Sequence, residues 1–112
     1  MEFQELKLEI FIPESHLPAL RSALQSVGAG RLGNYDSCLA YSRVTGSWRP
    51  LCGSHPYLGS EGEVSEEDEI KVEVNILAGD LEQTLNAIYK AHPYEEPLVN
   101  VIPILSRKKA QK

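Results

Sequence analysis

Long hydrophobic runs are missing from this sequence, and so is any surplus of positive charge. Within its 112 residues no apolar stretch approaches the ~20 needed to span a bilayer. The opening, MEFQELKLEI, has neither a basic leader nor an unbroken apolar segment of a secretory signal. The expectation is a cytoplasmic protein with no membrane partner. Cys38 and Cys52 are the two cysteines, too few for a disulfide scaffold, and they read as free thiols. A soft-metal site drawn from Cys38, Cys52 and His16 would match no ligand spacing. Basic residues number 11 against 16 acidic ones, and a net charge of −5 argues against nucleic acid as a partner. There is no G-x-S-x-G elbow, no triad pattern and no phosphate loop, so the expectation is that the chain is not an enzyme.

What remains is ordinary for one globular domain: 42% apolar and 24% charged residues. That domain is expected to occupy 1–106. A basic, disordered tail is expected over 107–112, where Arg107, Lys108, Lys109 and Lys112 leave the body with a net charge of −9.

Leu6, Leu8, Ile10 and Ile12 alternate with Lys7 and Glu9, the period of a half-buried strand. Pro13 ends it. Ser15 is placed to cap a helix whose stripe is Leu17, Leu20, Leu24 and Val27, and Gly28 supplies the stop. Gly28, Gly30 and Gly33 match G-x-G-x-x-G, but the helix precedes the glycines where a dinucleotide fingerprint needs it after them; a glycine-permissive turn is expected. Cys38–Thr45 reads as a strand burying Leu39, Tyr41 and Val44. Gly46 and Ser47 are expected to turn it into a short arm, Trp48–Leu51. A loop is expected over Cys52–Gly62, followed by a solvated acidic run through Glu69. Ile70–Ile76 alternates again. Asp80 is placed to cap a second helix along Leu81, Leu85 and Ile88, and Leu98–Ile104 is a strand so apolar that both faces should be covered, by the fold or by another subunit.

Sliding the chain by 64 positions lays LKLEIFI on IKVEVNI, Lys7 on Lys71 and Glu9 on Glu73, and carries Leu17 onto Leu81 and Leu24 onto Ile88. Two strand–helix units, each followed by a strand, give β-α-β-β-α-β. This is the ferredoxin-like α+β arrangement: a four-stranded antiparallel sheet with two helices on one face.

Between the second helix and the last strand lies AHPYEEP, Ala91–Pro97. Its prolines fix the chain direction while His92, Tyr94, Glu95 and Glu96 sit in a short turn between rigid elements. A second His-Pro-Tyr, His55–Tyr57, lies in the long loop. If that loop folds toward the turn, His55, Tyr57, His92, Tyr94, Glu95 and Glu96 form a candidate ligand-binding cleft. A divalent metal ion could use His92, Glu95, Glu96 and His55, the donor types that suit several such ions; a purely structural turn accounts for the same residues. Trp48 and Arg49 are candidates for a subunit contact, being residue types enriched at binding hot spots, or Trp48 closes the end of the core.

GAGRLGNYDSC, GSWRPLCGSHPYLGSEGEVSEEDEIKVEV and AHPYEEPLVNVIPI, in this order and with the second helix between the last two, resemble the CutA-like domain inserted in YqfO-type members of the Nif-three family. The resemblance spans Leu6 to Ile104. It implies a fold related to CutA and PII-type proteins, with trimers formed through sheet edges and ligands bound between subunits. The dinuclear metal centre of the full-length proteins belongs to a flanking domain and does not transfer. The expected function is a non-enzymatic small-ligand-binding or regulatory module acting as a homotrimer, with a small molecule or a protein as partner. The alternative is a divalent-metal-binding protein using the His-Pro-Tyr-Glu-Glu-Pro turn.

Overall fold

Alternation decides the centre of the molecule. In the computed structural model, which describes residues 3–105, β1 (Glu5–Ile12) buries every second side chain. A 3-10 turn, Glu14–His16, leads into α1 (Leu17–Ser26); then follow β2 (Ala40–Trp48), β3 (Ser65–Leu77), a 3-10 turn Ala78–Asp80, α2 (Leu81–Ala91) and β4 (Val99–Ile104). The strands form one antiparallel sheet in the order β2-β3-β1-β4. Leu8, Ile10, Ile12, Val72 and Val74 from the two central strands meet Leu20, Leu24 and Ile88 from the helices in a single core. The ferredoxin-like arrangement is therefore the observed one. The expected tail over 107–112 lies outside the described residues.

The 64-residue shift has a physical counterpart. It equates Lys7 with Lys71 and Glu9 with Glu73, and the structure pairs them crosswise: Lys7 Nζ lies 2.6 Å from Glu73 and Lys71 Nζ 3.3 Å from Glu9. A pseudo-twofold axis between β1 and β3 requires this reciprocity. Both ion pairs lie on the sheet face opposite the helices.

Four local expectations need correction. Ser15 does not cap α1: His16 holds the N-cap position without a side-chain bond, and Ser15 Oγ instead lies 3.0 Å from His16 Nδ1. Asp80 does hold the N-cap position of α2, but its side chain makes no cap bond; Thr84 Oγ1 bonds the Asp80 carbonyl at 2.7 Å. Gly46 and Ser47 make no turn. β2 runs straight through them to Trp48 because the acidic run is itself strand, with Gly46 opposite Glu67 and Trp48 opposite Ser65. Cross-strand pairing has overridden local turn preference. Finally, Tyr41 is 52% exposed, since it lies on an edge strand where the helix cover has run out.

Edge position also governs β4. Among the described residues it pairs only with β1, and Val99 packs against the core while Leu98 and Val101 are exposed. Neither face is fully covered among the described residues: Ile102 and Ile104, on the face opposite the helices, are half-buried, and Val101, opposite Leu8 on the helix face, is exposed. The same pairing sets Glu5 directly opposite Ile104, so the two ends of the fold lie side by side.

Candidate functional site

The turn after α2 is fixed first by its histidine. Pro93 holds His92 extended, at φ −83° and ψ 133°, and helix α2 stops there. His92 is buried, and both ring nitrogens are engaged: Nδ1 accepts the Tyr94 backbone N–H at 3.2 Å, and Nε2 lies 2.6 Å from the Phe11 carbonyl. An acceptor Nδ1 places the proton on Nε2, which donates to Phe11. Burial holds the imidazole pKa below its ordinary value, against the opposing pull of the Phe11 carbonyl and the Glu69 charge; His16 adds to the lowering. His92 thus fastens the turn to the end of β1, leaving no lone pair for a ligand.

The long loop, 49–64, folds onto this turn. Glu95 Oε2 accepts the backbone N–H of His55 at 2.6 Å, and Trp48 Nε1 donates to the Leu58 carbonyl at 3.1 Å. Gly59, at φ 103°, lies against the indole: an added Cβ would come within 3.3 Å of Trp48 Nε1 and 2.6 Å of Ser65 Oγ. Aromatic rings complete the closure, with Tyr94 centred 5.5 Å from Trp48 and 6.0 Å from Tyr57, and His16 edge-on to Tyr57 at 5.8 Å.

The result is a cleft of about 720 Å³ between the loop, the turn and the end of β2–β3. That volume is typical of small-molecule sites. Glu69 is at its wall. Alternation along β3 puts Glu69 on the face of Lys71 and Glu73, and the loop and turn cover that face here, leaving the residue 6% exposed. Its carboxylate lies over Gly46, where any Cβ would overlap it. No cation pairs with it among the described residues. Beside it stands the Tyr94 hydroxyl, itself buried and without a hydrogen-bond partner. Burial, and then the Glu69 carboxylate beside it, push the Tyr94 phenol well above its ordinary range. The carboxylate is thus close enough to bias the phenolic proton.

Of the residues expected here, Tyr57, Tyr94, Glu95 and Glu96 line the cleft. His92 acts as a fastener, and His55 contributes its backbone N–H. Trp48 and Arg49, expected at a subunit contact, also line the cleft, Trp48 half-buried within its own chain. No group of three His, Cys, Asp or Glu side chains is arranged to hold a metal ion among the described residues, so the structure does not gather His92, Glu95, Glu96 and His55 into a metal centre. Cys38 and Cys52 are exposed free thiols, as expected. The glycine-rich segment is a turn: the N–H groups of Gly28 and Gly30 bond the Gln25 and Asn75 carbonyls, so neither is available to cradle a phosphate. Sequence reasoning missed Glu69 and Gly46. The signal was present, because extending the alternation back from Ile70 puts Glu69 on the cleft's face, and a mid-strand glycine marks a close approach.

No family model matches the chain. A protein of Halalkalibacterium halodurans named GTP cyclohydrolase 1 type 2 homolog is 37% identical over 98 residues, which are 88% of this chain and 26% of that protein. The chain thus spans about a quarter of the length of such relatives. A solved Bacillus cereus protein related to NIF3 superposes with a TM-score of 0.78 at 32% identity, covering 91% of this chain and 26% of that one. CutA1 from Shewanella sp. SIB1 gives 0.70 at 14% identity, covering 96% and 88%. GlnK of B. subtilis gives 0.61 at 18%, covering 90% and 85%. The last two likenesses establish the fold. The chain thus has the fold of CutA and GlnK and is similar to a quarter-length segment of NIF3-related proteins.

Proposed function

We propose that this CutA-like domain is a non-enzymatic small-ligand-binding module that works in the cytoplasm as a homo-oligomer. One observation carries the binding assignment: the buried Glu69 carboxylate, which no cation pairs among the described residues, and the buried Tyr94 hydroxyl, which has no hydrogen-bond partner, lie together at an aromatic cleft. Buried polar groups in folded proteins are overwhelmingly paired, and those left unpaired call for an explanation. A ligand that completes both is one. The chain matches only about a quarter of the longer relatives' length, and this reading assigns no reaction to that quarter.

Edge management supports assembly. Among the described residues β2 and β4 present open edges, and exposed Leu98 and Val101 flank the second; pairing such edges between copies removes unsatisfied backbone groups. The CutA and PII likeness favours three copies.

Native mass spectrometry of gently purified protein is expected to show a trimer, and a monomer at working concentration would overturn the assembly. For the cleft, a fragment screen followed in ¹H–¹⁵N spectra can use the indole N–H of Trp48, the single tryptophan, as a local reporter. Hits should move Trp48 and Tyr94 together. Hits scattered over the surface without these two would refute the site.

A further inference from the structure

We infer that the cleft recognises a primary ammonium group carried on a small organic body. The inference rests on the cleft being a small-ligand site and adds the chemistry of what enters it. Glu69 is more than nine-tenths buried, faces the cleft and has no cationic partner among the described residues. A buried carboxylate in this state is costly unless a cation or strong donors complete it. The walls reinforce that demand. Glu95 and Glu96, exposed in the lining, add negative charge, and Arg49, the one cation lining the cleft among the described residues, is exposed.

The aromatic geometry points the same way. The Tyr94 ring is centred 5.5 Å from Trp48 and 6.0 Å from Tyr57, at a tilted angle to each. Ring faces attract cations, and desolvated sites strengthen that attraction. The Tyr94 hydroxyl is a buried acceptor still wanting a donor. A primary ammonium has three N–H donors and no acceptor. It can give one to the Glu69 carboxylate and one to Tyr94 Oη, turning the third toward a ring face or water. A quaternary ammonium has no donor for either oxygen. A neutral alcohol leaves the carboxylate uncompensated, and an anion is repelled by it.

The test is a titration of the full chain with phenethylammonium and with its neutral counterpart 2-phenylethanol, at matched ionic strength, reading the Trp48 indole N–H and tryptophan fluorescence. The ammonium is expected to saturate and to bind at least about tenfold tighter than the alcohol, the scale of a charge-assisted hydrogen bond. Glu69→Gln should weaken the ammonium about tenfold or more and leave the alcohol unchanged. Should that variant fail to fold, Tyr94→Phe supplies the second arm, with an expected loss of roughly threefold for the ammonium alone. Equal affinity for both probes, or an ammonium affinity indifferent to these substitutions, overturns the ammonium assignment and leaves the ligand cleft standing. If neither probe moves Trp48, and the indole is also closed to acrylamide quenching, the cleft is covered in solution and both readings fall.

Discussion

Replacing His92 tests whether the AHPYEEP turn is held as the structure indicates. His92→Ala removes the bond to the Phe11 carbonyl and the one from the Tyr94 amide, both at a buried residue. Each net bond is worth about 1 kcal/mol, and stranding a buried partner adds to that. With the void left by the imidazole, the expected loss is about 2–4 kcal/mol. For a domain of this size that lowers Tm by roughly 10–25 °C. His92→Gln separates the bonds, since its amide can still donate to Phe11 without titrating, and it should recover part of the loss. The pH dependence gives an independent check. The folded pKa of His92 lies below its ordinary 6.5, so the unfolded chain takes up the proton first. The stability that His92 supplies is complete above 6.5 and is lost as pH falls through the folded value. Urea unfolding from pH 7.5 to 4.5, followed by Trp48 fluorescence, should show that fall in the parent and a shallower one in His92→Gln. A His92→Ala change below about 0.5 kcal/mol, within the range of ordinary surface substitutions, would refute the fastening role.

Gly46→Ala should cost about 1–2 kcal/mol by overpacking against the Glu69 carboxylate; the cost should nearly vanish in a Glu69→Ala background, and an equal cost in both would place the clash elsewhere. Tyr94→Phe removes a hydroxyl with no hydrogen-bond partner and should be neutral or stabilising by up to about 1 kcal/mol in thermal unfolding; a loss of that size would show that the hydroxyl is well bonded. In an ultraviolet titration one of the five tyrosines should resist ionisation where an ordinary phenol titrates near 10, and Tyr94→Phe should abolish that late component. Glu95→Ala should release the His55 amide, read as faster hydrogen exchange at that position with α1 and α2 unchanged; unchanged exchange would detach the loop from the turn.

The sheet was legible because two alternating runs, Leu6–Ile12 and Ile70–Ile76, carry a period that needs no long-range information. The crosswise ion pairs show the internal repeat to be physical. Gly46-Ser47 was misread because turn preference is local, whereas its strand is held by residues about twenty positions away. The acidic run misled for a related reason: charge suggests solvent, and only the folded loop shows that one carboxylate of the run is covered. The turn residues were legible as a group but not in their roles. Nothing in the letters distinguishes a histidine that uses both nitrogens on backbone from one that offers a nitrogen to a ligand; the position of the Phe11 carbonyl decides it.

The pairing of Glu5 with Ile104 has a consequence for modularity. Directly opposed residues of an antiparallel ladder lie about 5 Å apart at their Cα atoms. The chain therefore enters and leaves this fold at nearly one point, an opening little wider than a single residue step. A host loop could accept the whole domain there without separating its own anchor points, and could lose it with as little disturbance. The fold is geometrically a plug-in unit, which fits the chain's match to about a quarter of the length of its relatives.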